Sequence, residues 1–177
     1  CPENEILVTV GGSEAIDACI RAVVNAGDEV IIPQPSYVCY EPMTRLAGGV
    51  PVIIDTKAEN DFKVTPQELK NAITEKTKLL ILPYPCNPTG AIMEYEDIKA
   101  LYEVLKDTDI IVLSDEIYAE LTFSGKPHAS PAAVEGMWER TVTVNGFSKA
   151  FSMTGWRLGF ACGPKEIMEQ ILKIHQY

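Results

Sequence analysis

The sequence predicts an α/β fold, a three-layer α/β/α arrangement around a mostly parallel mixed sheet. Three observations carry that expectation. Short, wholly apolar runs such as Leu79-Leu80-Ile81-Leu82 and Ile110-Ile111-Val112-Leu113 alternate with segments of helical period. A strand apolar on both faces belongs in a sheet covered by helices on both sides. Chemically capable residues follow these strands: Asn87 after 79–82, Asp115 after 110–113, and Lys149 after 141–145. Ligands of such sheets bind beyond the carboxyl ends of the strands. A length of 177 residues also suits one domain with a sizeable core.

The elements follow in order. Ile6 to Val10 reads as a strand running into Gly11-Gly12-Ser13-Glu14. Residues 13–26 place Ile16, Cys19, Ile20, Val23 and Val24 on one helical face, closed by Gly27-Asp28. Val30-Ile31-Ile32 is a short buried strand. A helix over 41–47 ends at Gly48-Gly49, and Val50 to Ile54 is the next strand. Thr65 is the expected N-cap of a helix reaching about Ile73, with Pro66 at its first position and Glu68 completing a capping box. After the 79–82 strand, residues 94–106 form an amphipathic helix with Ile98, Leu101, Tyr102 and Leu105 inward. Residues 119–140, with Pro127, Pro131 and Gly136, are the least regular. Strands near 141–145 and 157–162 and a helix from Pro164 complete the pattern.

Composition narrows the function classes. A net charge of −10 argues against nucleic acid as a partner, because phosphate backbones are bound by basic surfaces. Five cysteines are an odd, widely spaced set with no Cys-x-x-Cys pair, which argues against a zinc site or a redox dithiol. Cys19 and Cys162 read as core thiols, and a reducing, cytoplasmic setting fits best. No apolar run approaches 18 residues, so no membrane span is expected.

The segment Gly146-Phe147-Ser148-Lys149-Ala150-Phe151-Ser152-Met153-Thr154-Gly155-Trp156-Arg157-Leu158-Gly159 carries the most chemistry. A lysine amine forms a Schiff base with an aldehyde. An arginine fork matches phosphate oxygens bidentately, and glycine and serine let backbone approach a ligand closely. Two surface cations on a strand edge are the plainer alternative. Gly11-Gly12-Ser13-Glu14 stands where free N–H groups and a helix dipole favour an anion, although taken alone it reads first as a tight turn with Ser13 as N-cap. Tyr37 alone reads as a core or interface tyrosine, Asn87-Pro88-Thr89-Gly90 as a turn, and Asp115-Glu116-Ile117-Tyr118 as an acidic strand end. Glu116 reads as structural, both histidines (His128 and His175) as surface or structural, and Met153 and Trp156 as packing.

Taken in order, Gly11-Gly12-Ser13-Glu14-Ala15, Asn87-Pro88-Thr89-Gly90, Asp115-Glu116-Ile117-Tyr118 and the lysine segment resemble the motifs of the fold-type I, class I/II aminotransferases, from about residue 6 onward. The resemblance implies pyridoxal 5′-phosphate as cofactor, amino acid and 2-oxo acid substrates, and a homodimer. It implies that Lys149 binds the aldehyde and moves the α proton, that Asp115 pairs with the ring nitrogen, and that Tyr118 and Asn87 meet the ring hydroxyl. Tyr37 would stack on the ring, while Gly12, Ser13, Ser148 and Arg157 would meet the phosphate. Gly146 stands where many relatives carry a further serine, and Gln34–Pro35 and Asn87–Pro88 are expected to be cis. The resemblance further implies that residues 1–177 are the central part of the cofactor-binding large domain, without the N-terminal arm and C-terminal small domain. Two other readings share these motifs: a carbon–sulfur β-lyase, and a cofactor-binding core that turns over poorly by itself. The Met153-Thr154-Gly155-Trp156-Arg157 run looks more like the aminotransferase branch.

Overall fold

Seven strands form one sheet in the computed structural model, which describes residues 1–177 apart from the side chain of Pro2. The elements are α1 (Pro2–Glu5), β1 (Ile6–Val10), α2 (Gly11–Val23), β2 (Glu29–Gln34), α3 (Tyr40–Leu46), β3 (Val50–Asp55), α4 (Pro66–Ala72), β4 (Thr77–Leu82), α5 (Tyr95–Leu105), β5 (Ile111–Asp115), β6 (Thr141–Gly146), α6 (Phe147–Ala150), β7 (Leu158–Cys162) and α7 (Lys165–His175). The spatial order is β1-β7-β6-β5-β4-β2-β3. From β3 across to β6 every pairing is parallel. β7 runs antiparallel to both β6 and β1, so the sheet is mixed and mostly parallel, as the sequence predicts.

Side-chain alternation explains why the apolar runs are continuous. Val30, Ile32, Leu79 and Ile81 face one core, with α2 and with Met168 and Ile171 of α7. Ile31, Leu80, Leu82 and Val112 face the other, with Leu69 of α4 and Ile98, Leu101 and Leu105 of α5. Successive strand residues point to opposite faces, so each strand supplies both cores. Burying one such Leu or Ile contributes about 1.5–3 kcal/mol. Cys19 belongs to the first core, where burial pushes its thiol up to about 12.

α4 begins as expected. The Thr65 hydroxyl accepts from the Glu68 N–H at 3.2 Å, and Glu68 accepts from the Thr65 N–H at 2.9 Å. Thr65→Ala is expected to cost about 0.5–2 kcal/mol, read as a lowered urea midpoint with unchanged slope.

Three expectations change. α2 starts at Gly11, two residues early, and Ser13 caps nothing; the Glu14 carboxylate takes the Val10 N–H instead. Cys162 is only half-buried, because β7 pairs there with the edge strand β1, whose opposite residue Ile6 is 49 % exposed. Trp156 is 74 % exposed and packs on no core. No helix among the described residues is long and apolar enough to cross a membrane.

Candidate active site

Strand polarity gathers the site. β1, β2, β4, β5 and β6 all end at one edge of the sheet, delivering Gly12, Tyr37, Asn87, Asp115, Tyr118 and Lys149 there. Because β7 is antiparallel, its beginning lies at that same edge, and Arg157 immediately precedes it. A cavity of about 230 Å³ opens at this edge. Gly12, Ser13, Tyr37, Asn87, Asp115, Tyr118, Ser148, Lys149 and Arg157 all line it. Ile16, Tyr40, Pro83, Pro85, Ile117 and Thr154 complete the walls.

Arg157 lies across Gly11. A Cβ at Gly11 would stand 2.5 Å from the Arg157 Nη2, and Gly11 also has φ +76°, where a side chain is strained. The positive φ calls for glycine here, whereas the guanidinium, the end of a flexible side chain, would only have to shift. Gly159 is constrained by space instead, since its Cβ would meet the Gly11 carbonyl carbon at 2.5 Å, a backbone atom that cannot give way. Arg157 itself sits at φ 50°, and Nη1 donates to the Thr154 carbonyl at 3.1 Å. A side chain at Gly146 would meet the Leu158 carbonyl at 3.0 Å and the Gly159 Cα at 3.1 Å. This position is packed against backbone and lines no part of the cavity.

Lys149 is exposed on α6, with Nζ 5.7 Å from the centroid of the Tyr118 ring, within cation–π range. Neither Lys149 nor Arg157 forms an ion pair among the described residues. Asp115 is the opposite case, a carboxylate only 6 % exposed. Its Oδ2 accepts from the Tyr40 hydroxyl at 2.6 Å and its Oδ1 from the Ile117 N–H at 3.2 Å. Burial raises its pKa, and those two hydrogen bonds oppose the rise. Two cations without ionic partners stand beside a buried carboxylate bonded only to neutral donors, an arrangement whose charges complement a dipolar ligand.

Glu116 points away from the cavity into a buried polar cluster. It accepts from Ser130 at 2.7 Å, Ser114 at 3.0 Å and Thr143 at 3.5 Å, and pairs with His128 Nε2 at 2.9 Å. His128 is thus a structural histidine with a side chain only 12 % exposed, tying the irregular 119–140 segment to the sheet. Glu116→Ala leaves those donors unsatisfied and is expected to cost about 1–3 kcal/mol, seen as a fall in thermal midpoint.

Sequence reasoning passed over Tyr40, Pro83 and Thr154. Gln34–Pro35 and Asn87–Pro88 are cis as expected, and Tyr84–Pro85 is a third cis bond. No group of three or more His, Cys, Asp or Glu among the described residues is placed to hold a metal.

A twisted mixed sheet with a lysine, a buried aspartate and an arginine at one edge defines a class of protein, and comparison with known proteins agrees. Residues 1–176 match the family described as aminotransferase class I and II, and the chain belongs to that family. The putative aminotransferase YugH of Bacillus subtilis (strain 168) is 52 % identical over 176 residues, which is 99 % of this chain and 45 % of that protein. The aspartate aminotransferase of Pyrococcus abyssi is 46 % identical over 99 % of this chain and 45 % of its own length. Among solved structures, the aromatic aminotransferase from Pyrococcus horikoshii OT3 superposes with a TM-score of 0.96 at 44 % identity, covering all of this chain and 48 % of that one. The chain therefore spans about half the length of the relatives it matches.

Proposed function

We propose that the protein is a pyridoxal-phosphate-dependent aminotransferase, transferring an amino group between an amino acid and a 2-oxo acid. Residues 1–177 are then the central part of its cofactor-binding large domain. The observation that carries this reading is the gathering of Lys149, Asp115 and the Gly11-seated Arg157 around one cavity. That donor set fits the cofactor. A phosphate suits the arginine fork and the start of α2, an aldehyde suits the amine without an ionic partner, and a protonated ring nitrogen suits the buried carboxylate.

When bound, pyridoxal phosphate supplies the aldehyde that captures amines and the electron-poor ring that takes up the electron pair of the departing α proton. The chain supplies the rest. Arg157, Ser13, Ser148 and the Gly12 backbone would hold the phosphate. Tyr37 would hold the ring by stacking, and Asn87 and Tyr118 would orient it through the ring hydroxyl. Asp115 would keep a proton at the ring nitrogen. Lys149 Nζ would hold the cofactor at its aldehyde and would carry the α proton as general base and acid.

The same reading makes the intact protein a cytoplasmic homodimer. Val38, Phe151 and Trp156, 78 %, 62 % and 74 % exposed near the site, support a surface covered in the assembly. Titration of the intact protein with pyridoxal phosphate, beside Lys149→Ala, tests the proposal. A saturable absorbance band and a borohydride-trapped adduct on residue 149 are expected in the parent only. An adduct trapped in that cavity in Lys149→Ala overturns it. Formation of a new amino acid from a 2-oxo acid, rather than pyruvate and a thiol from a cysteine conjugate, separates transfer from β-elimination.

A further inference from the structure

We infer that Tyr40 is a positioning residue of this site: its hydroxyl keeps the Asp115 carboxylate ionised and aimed into the cavity, while its ring braces Tyr37. The functional consequence rests on the cofactor reading above; the contacts belong to the chain alone.

Tyr40 is the first residue of α3 and only 2 % exposed. Its backbone turn is tied down by Thr44, whose hydroxyl donates to the Tyr40 carbonyl at 2.9 Å. From that fixed root the side chain makes two contacts. At its tip, Oη donates to Asp115 Oδ2 at 2.6 Å, a short charge-assisted bond across 75 residues of sequence. Along its edge, the ring meets Tyr37 edge to face, with centroids 5.7 Å apart and planes at 83°. That geometry is favoured between aromatic quadrupoles. One rigid side chain therefore sets both the carboxylate assigned to the ring nitrogen and the aromatic ring assigned to the ring face.

The direction of the short bond is fixed by its surroundings. Burial first, and then the neighbouring Asp115 charge, hold the Tyr40 hydroxyl well above the ordinary phenol range. It keeps its proton at every working pH and acts only as donor. Asp115 has no cation among its hydrogen-bond partners. A buried carboxylate without one reverts to the neutral acid unless hydrogen bonds stabilise its charge. Ile117 satisfies one oxygen through its backbone, and Tyr40 satisfies the other. Each oxygen keeps lone-pair capacity for one further donor in the cavity. Losing the Tyr40 hydroxyl leaves Oδ2 without a donor and the carboxylate held only through Oδ1 by the Ile117 N–H.

Tyr40→Phe tests this in the intact protein, because it deletes one oxygen and keeps the ring in its core. In cofactor-free protein, the Asp115 carboxyl followed by carbon-13 NMR is expected to titrate at higher pH than in the parent. With pyridoxal phosphate and an amino acid, kcat is expected to fall about 10- to 100-fold, the range for one hydrogen bond to a charged group, with KM nearly unchanged. The pH midpoint of the cofactor band is expected to move. In an Asp115→Asn background the same substitution should have no further effect on the band or on kcat. Tyr40→Leu should also loosen Tyr37 and weaken cofactor retention beyond Tyr40→Phe. An unshifted Asp115 titration in Tyr40→Phe, or an equal loss of kcat in the Asp115→Asn background, overturns the inference. Absence of any Lys149-dependent band in the parent, with the Asp115 titration still shifted, instead overturns the cofactor reading and leaves the Tyr40–Asp115 assignment standing.

Discussion

Lys149→Ala in the intact protein is expected to lower the rate of amino transfer by at least about 10⁴-fold, the upper end of what a positioned general acid–base contributes. Stability should scarcely change. Lys149 is exposed and has no ion-pair partner among the described residues, so truncation orphans no buried group. Surface changes of this kind stay within about 0.5 kcal/mol. Single-turnover conversion of an amino acid, measured beside the thermal midpoint, checks both halves. A variant within tenfold of the parent would mean that another group carries the α proton, and Tyr118, whose ring lies 5.7 Å from Nζ, would be the first to examine. A variant that loses activity and stability together would place Lys149 in the architecture instead.

Asp115→Asn should separate function from stability in the opposite sense. Removing one partner of a buried ion pair costs about 3–5 kcal/mol. Loss of the ring-nitrogen partner should therefore reduce transfer by roughly 10²–10⁴-fold. The cofactor-free protein should be at least as stable as the parent at neutral pH. Burial raises the folded pKa of Asp115 above the ordinary carboxylate value. The native state thus holds its proton to higher pH than the unfolded chain does. Its contribution is fully present below the ordinary carboxylate range and is lost as pH rises through the raised folded value. Wherever the carboxylate is ionised it is a standing cost that asparagine lacks, while the asparagine amide oxygen still accepts from Tyr40 or from Ile117. Thermal unfolding of both cofactor-free proteins at pH 7 and about pH 4 reads this directly. The advantage of Asp115→Asn should shrink on acidification; a gap that widens would contradict the sign of the shift.

What was legible in the sequence follows from distance along the chain. Apolar runs of period one, caps such as Thr65 with Glu68, and the edge placement of Asn87, Asp115 and Lys149 are local patterns, and the fold reproduces them. Tyr40 was invisible for the opposite reason. It stands among apolar and helical neighbours exactly as a core aromatic would, and its partner lies 75 residues away. His128 hid similarly, because nothing in an irregular segment announces that it returns to Glu116. The start of α2 was misread because Glu14, not Ser13, satisfies the strand-to-helix turn. Cys162 was placed too deep because an apolar strand beside an edge strand looks the same as one in the middle.

The reversed direction of β7 also divides the site by the range of its contacts along the chain. Gly146 and Gly159 face each other in the β6–β7 ladder, so Lys149 and Arg157 are brought together by closing one short connection. Such a closure costs little chain entropy. The contact between Tyr40 and Asp115 spans 75 residues and rests on β2, β4 and β5 aligned in parallel. The cationic half of the pocket is thus a hairpin property, and the acidic half is a property of the completed sheet. The cationic half therefore rests on neighbours in sequence, and the acidic half on a contact that spans 75 residues.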